Sequence, residues 1–579
     1  MIDPPLRAPT MAQPKLAALL PRLEEARTQI GVVKQREILR LLSAADNAVF
    51  KNDAKSVIRF HDLLLFFRAF SPDASVLHLA DKMLARFETK VKIVLAAGAD
   101  TNDFAPEEVA GIAGTMVEAA FSYPMVCWLV NHYPDEISIS WEDYERDAQR
   151  GLIWPRFFPL MEEDSLIEAN VPYLNWLKAA RGRQDELRWL VRQFQRLPMS
   201  EKDKGSLYDS LEIMVRWDMS GSSASRTLSR KPVKQFYFHR EPLIPRRQVS
   251  FADELAQPPL PVTALSRRQA EETLNLMKQT LGVRYRELYG TSNADPGWVV
   301  HSNVGRGADI YFCGLPPDKR LPLRAYLAGI TVKNGVPINY FECSSLFDWT
   351  EIGFNTFPAY RDGETAWIYA QTLRILRQLH GTNAVSVYPY QIGDENEEAI
   401  VSGAFWFYRK LGFRSMNPEL EKLAQAEEKR VQANSAYRTP ARVLRRLSKA
   451  NVVYELPQAQ RGAWDNFSMR NIGLAVQRRM ARDFDGDAGA MRKAAVRHLA
   501  RTIKVDPGKM KAPAQVAFGD FAMALSLVQD IAQWPSEDKI SLRAVLAAKA
   551  GRTELRYQRL LQKHPRLRAA ILRVGSQRA

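Results

Sequence analysis

Two hydrophobic periods divide this chain. From Pro14 to about Asp218 apolar residues recur at helical spacing: Ile38, Leu41 and Leu42, then Ile58, Leu63 and Phe67, then Leu77, Leu84 and Phe87. Pro124, Pro155 and Pro172 punctuate this region, and Ile137 to Trp141 reads as a short strand. The middle of the chain changes period. Tyr326 to Lys333 and Val336 to Cys343 flank Asn334-Gly335, a pair suited to a type I′ hairpin turn because both positions need positive φ. Thr350 to Phe357 then alternates, with Ile352, Phe354 and Thr356 on one face and Glu351, Gly353 and Asn355 on the other. After the turn Pro358 to Glu364, helical spacing returns over Thr365 to His380 through Ala366, Tyr369, Ala370, Leu373 and Leu376. Ala384 to Tyr388 reads as a short buried strand. An apolar helix then ends in Tyr408-Arg-Lys-Leu411, and Gly412 stops it before Phe413.

The order hairpin, strand, helix, strand, helix, Gly-Phe resembles the core of the GNAT-type acyl-CoA N-acyltransferase superfamily. The resemblance spans roughly residues 266–430 and rests on three runs: Tyr408-x-x-x-Gly412-Phe413, Ala404 one turn before Tyr408, and Pro358-x-Tyr360-Arg361 leading to the small residue Ala366. It implies an α/β domain with a mixed sheet flanked by helices, set between mostly α-helical N- and C-terminal regions. It also implies acetyl-CoA or another acyl-CoA as cofactor, and an amine-bearing acceptor. The chain departs from the pattern twice. Glu364 stands at the central glycine of the pyrophosphate turn, with Gly363 one position early, and Val401 stands where the superfamily often has Asn. As a side chain, Glu364 reads as a first-turn carboxylate that stabilises its helix by about 0.3–1 kcal/mol.

Acyl transfer to an amine needs a base for the ammonium proton and an acid for the departing thiolate. By resemblance Tyr408 is the candidate acid. Glu351, on the strand after the hairpin, is the candidate base, and Glu342 on the preceding strand is its rival. The resemblance assigns pantetheine contacts to Asn355, Thr356 and Phe357. It assigns the diphosphate to the turn Arg361, Asp362, Gly363, Glu364, Thr365 and Ala366, because a helix N-terminus offers unpaired N–H groups to an anion, with Ala404 near the cofactor. Either a working acyltransferase or a catalytically silent binding scaffold accommodates these residues. An open turn marks the first, and a turn filled by Glu364 or aromatic side chains marks the second.

A length of 579 residues exceeds what one core supports. Composition shifts suggest a helical region 1–215, a basic Ser/Pro/Arg-rich linker 216–262, the acyltransferase-like domain 263–435 and a basic helical region 436–579. No apolar run approaches the ~18 residues of a membrane span, and the first fifteen residues lack an apolar signal core. Cys127, Cys313 and Cys343 form neither a disulfide framework nor a zinc spacing. A cytoplasmic protein is the expectation. Net charge is +16, concentrated in Arg226 to Arg247 and in the C-terminal region, which could meet nucleic acid weakly and non-specifically. Asp483-Phe-Asp485-Gly-Asp487 imitates a calcium loop, but Ala488 and Ala494 occupy its obligatory Gly and Glu positions.

Overall fold

The computed structural model describes residues 14–30, 35–142, 144, 147–159, 171–434 and 436–577; the N-terminal segment 1–13 lies outside them. The chain is mixed α/β and 53% helical, built around a large mixed sheet. A small antiparallel sheet comes first, from β1 (Met116–Ala119), β2 (Ile137–Ser140) and β3 (Met214–Asp218), with β3 in the centre. Its aromatic core gathers Trp154 and Trp217 with helices Tyr123–His132 and Glu186–Arg196. Trp128 and Trp154 are buried in this core.

The large sheet has nine strands: β4 (Thr263–Ala264), β5 (Val299–Gly305), β6 (Ala308–Cys313), β7 (Ala325–Lys333), β8 (Val336–Leu346), β9 (Trp349–Thr356), β10 (Ala384–Val387), β11 (Arg414–Ser415) and β12 (Val452–Glu455). They lie in the order β11-β12-β10-β9-β8-β7-β6-β5-β4. The β7–β8 hairpin turns at Asn334 (φ 49°) and Gly335 (φ 84°), the double positive φ that the dipeptide predicts. Its tip is pinned by Asn334, whose Nδ2 donates to the carbonyls of Ala69 and Tyr237 at 2.9 Å each. β9 and β10 pair in parallel, and helix Thr365–His380 is the crossover between them.

One face of the sheet is buried and largely apolar, with Ser345 and Thr350 hydrogen-bonded to each other on it. Phe341, Cys343, Ile352 and Phe354 pack with helix Thr365–His380 and with N-terminal helices Leu16–Thr28 and Ala54–Ala69 in a single core. The N-terminal helices therefore share their core with the sheet, and β12 is supplied from beyond residue 435. On the opposite face helix Arg267–Gly282 covers β5 to β7. The C-terminal helices pack against one end of the sheet through Trp349, Trp464 and Tyr557. Of the stretch 216–262 read as a linker, 216–218 belong to β3 and Phe251–Ala256 form a helix, while 219–245 contains no helix or strand. It is not a solvated linker, however: Ser225, Thr227 and His239 are fully buried, and its backbone threads between the other units.

Candidate functional site

The parallel pair β9/β10 is in register only at its start, through Trp349↔Ala384, Thr350↔Val385 and Glu351↔Ser386. β9 then runs on to Thr356, while β10 ends at Val387 and the chain turns away at Pro389. The strands part here. Alternation leaves Glu351, Gly353 and Asn355 half-buried and buries Ile352, Phe354 and Thr356. Register places Tyr340 opposite Asn355, Glu342 opposite Gly353, and Ser344 opposite Glu351. The face away from the apolar core thus carries both carboxylates named from the sequence, beside the point of divergence.

Their environments differ. Glu342 accepts a hydrogen bond from the Tyr326 hydroxyl, and burial raises its carboxyl above the usual range; among the described residues it has no ion-pair partner. Glu351 is paired with Arg324 at 3.2 Å. A carboxyl held by a hydrogen bond and desolvated is the better proton acceptor near neutrality. Tyr408 is buried among Tyr369, Phe407 and Phe413, and burial raises its hydroxyl pKa. Its titrating neighbour is Tyr388, whose ring would lie 3.5 Å from a Cβ at Gly353.

The turn after β9 is more crowded than its sequence implies. Asp362 is paired with Arg27. A Cβ on Gly363 would fall 2.5 Å from the Phe70 ring, so helix Ala54–Ala69 ends directly against the turn. Thr365 donates to the Arg361 carbonyl at 3.3 Å, Ala366 is buried, and Ala404 is the half-buried first residue of helix Ala404–Arg409. The expectation for Glu364 is corrected. It is no first-turn surface carboxylate but a fully buried ionic centre. It is paired with Arg306, accepts from Lys333 Nζ at 3.2 Å, and accepts from the Ile244 N–H at 3.2 Å. Burial lowers the Lys333 pKa to about 8 against the opposing pull of Glu364. Two cations, from the β5–β6 turn and the end of β7, thus hold the carboxylate in the interior.

On the other side of the same turn three arginines converge. Arg361 donates to the Thr356 carbonyl at 3.3 Å and is paired with Glu398. Arg286 is paired with Glu107 and donates to the Tyr340 hydroxyl at 2.5 Å, which also accepts from Asn355 at 2.9 Å. The Arg284 guanidinium lies 4.2 Å from the centre of the Phe357 ring. Together with Pro358 they line a narrow cavity of about 10 Å³. The sequence reading found Asn355, Phe357 and Arg361, and it missed Arg284, Arg286 and Glu107. Arg284-Tyr-Arg286 follows a helix end, and nothing local announces that this loop returns to β9. The buried Thr356 hydroxyl has no partner among the described residues. Elsewhere, a groove of about 960 Å³ lies between the 230–237 segment and the β5–β6 face.

Among the described residues no group of His, Cys, Asp or Glu side chains could hold a metal ion, and no helix is long and apolar enough to cross a membrane. No protein-family model matches this chain, nor does a curated protein or a solved structure.

Proposed function

We propose that this chain is an acyl-CoA-dependent N-acyltransferase built on a GNAT-like sheet, acting on an amine acceptor. The observation that carries the reading is the parting of β9 from β10 beside two carboxylates on one face, Glu342 and Glu351. Acyl-CoA would supply the activated thioester. Glu342 is the base: its raised pKa and its Tyr326 hydrogen bond suit a group that must take a proton from an ammonium. Glu351, neutralised by Arg324, positions the acceptor. Tyr408 stays protonated because it is buried, as a donor to a leaving thiolate must.

The test is thiol release from acetyl-CoA and from a longer acyl-CoA against a panel of primary amines and lysine peptides. Glu342→Gln is expected to lower kcat by about 10²–10⁴-fold, the usual weight of a general base, with unchanged thermal stability. Two observations favour a second reading, a catalytically silent binding scaffold: the narrow cavity beside Asn355 and the Tyr388 ring near Gly353 leave little open space. Absence of thiol release with every pair, together with no calorimetric heat from acyl-CoA, would overturn the enzyme and leave the scaffold.

A further inference from the structure

We propose that Arg284, Arg286 and Arg361 form an oxyanion site for a phosphate or diphosphate group, and that Glu107 and Glu398 hold it shut by occupying two of the three guanidinium groups. Three observations lead there. Arg284 is 5% exposed, yet its Nε has no hydrogen-bond partner and no carboxylate is paired with it among the described residues. Among the described residues its side chain donates one bond, back to the preceding helix, from Nη1 to the Thr280 carbonyl at 2.6 Å. A buried cation left in that state is costly unless an anion arrives. Second, its guanidinium stacks on Phe357, which lines the cavity, so it faces the same space as Arg286 and Arg361. Third, the two carboxylates come from removable positions. Glu107 sits in the 105–108 segment, where Ala105, Pro106 and Glu108 are exposed, and Glu398 lies in the first turn of surface helix Glu397–Ser402.

The surroundings agree. Burial, then the neighbouring Arg226, lowers the Arg284 pKa to about 9, with only partial relief from Tyr360 and Asp62. Arginine's planar fork suits phosphate oxygens, and charge-assisted bonds of this type are roughly twice as strong as neutral ones. An incoming diphosphate would exchange two carboxylate contacts for three guanidinium contacts and supply the anion that Arg284 lacks. Outward movement of Glu107 and Glu398 would enlarge the cavity at the end of β9, next to Asn355. As the seat of a coenzyme's diphosphate the site rests on the acyltransferase reading; as an oxyanion site it does not.

Calorimetric titration of the full chain with inorganic pyrophosphate and, separately, with coenzyme A tests this. Saturable binding of pyrophosphate is expected. Arg284→Met should weaken it by about 10–100-fold, as loss of a charge-assisted contact implies. Since Arg284 is buried and its variant could misfold, Glu107→Gln and Glu398→Gln serve as the second arm, and both should tighten binding. Binding of pyrophosphate but not coenzyme A keeps the oxyanion site and sinks its role in acyl transfer. Coenzyme A binding unaffected by Arg284→Met keeps the enzyme reading and overturns this site. No pyrophosphate binding by the wild-type chain or by either glutamate variant also overturns it.

Discussion

Two charge clusters flank the turn 358–364, and they are built on opposite principles. On the inner side Glu364 is fully buried and takes hydrogen bonds from Ile244, Lys333 and Arg306, so its oxygens are satisfied. On the outer side Arg284 is nearly as buried and has an orphaned Nε, while Arg286 and Arg361 hold carboxylates that are themselves partly exposed. A closed set of partners identifies a structural clasp, here joining the β5–β6 turn, β7 and the head of helix Thr365–His380. An incomplete set with exchangeable counterions is the feature on which the proposed oxyanion site rests. Burial alone does not separate the two; satisfaction does.

Breaking the clasp should have the largest effect. Glu364→Ala leaves Lys333 and Arg306 uncompensated in the interior, which costs about 3–5 kcal/mol. Denaturant unfolding would register this as a lower midpoint. A variant as stable as wild type would erase the distinction between the two clusters.

Beside the clasp lies His239, outside the closed set because its Nε2 has no partner among the described residues; its Nδ1 lies 3.4 Å from Arg306 Nη2 and its pKa is pushed down to about 2 by burial, then by Lys333 and Arg306. His61 and His380 are likewise depressed by burial, to about 4 and about 3. A depressed folded pKa means that the unfolded chain binds the proton first, so stability is present above the unfolded value of 6.5 and is lost as pH falls towards the folded value. Between pH 6.5 and 5 each of these histidines should contribute a slope of up to about 1.4 kcal/mol per pH unit. Unfolding curves across that window check it. His239→Phe should remove one histidine's share of the slope; an unchanged slope would show that His239 does not sit neutral beside the clasp.

Much of this architecture is local and was therefore legible in the sequence. Asn334-Gly335 dictates its turn, the 350–357 alternation dictates which side chains of β9 face the core, and the spacing of Ala366 to Leu376 dictates a helix. The site is less local. Glu364 meets Arg306 and Lys333 from 58 and 31 residues upstream, and Phe70 reaches Gly363 from a helix with no sequence link to it. β12 is only four residues long, too short for alternation to stand out from the basic helices around it. Glu342 and Glu351 were visible as strand carboxylates, but only register reveals that they share a face and that Arg324 neutralises one of them. The 219–245 segment has the composition of a linker because it makes no regular structure; its burial comes from irregular backbone pairing that carries no periodicity.

The smallest expected effect is the most discriminating. In Arg284→Met a buried guanidinium with no carboxylate partner is replaced by an apolar side chain of similar length. The lost terms are one hydrogen bond to the Thr280 carbonyl, about 1 kcal/mol, and the stacking on Phe357, which a thioether partly retains. The gain is relief from desolvating a cation and from repulsion by Arg226. The two nearly cancel, so stability should change by less than about 1 kcal/mol. Glu364→Ala, at a site of similar burial, should change it several times more. If Arg284→Met were to destabilise the fold as strongly as Glu364→Ala, Arg284 would be a second clasp whose partner is structural, and the outer cluster would lose its claim to be a binding site. A chain that tolerates the loss of this arginine while losing its affinity for pyrophosphate keeps the charge there for a ligand rather than for folding.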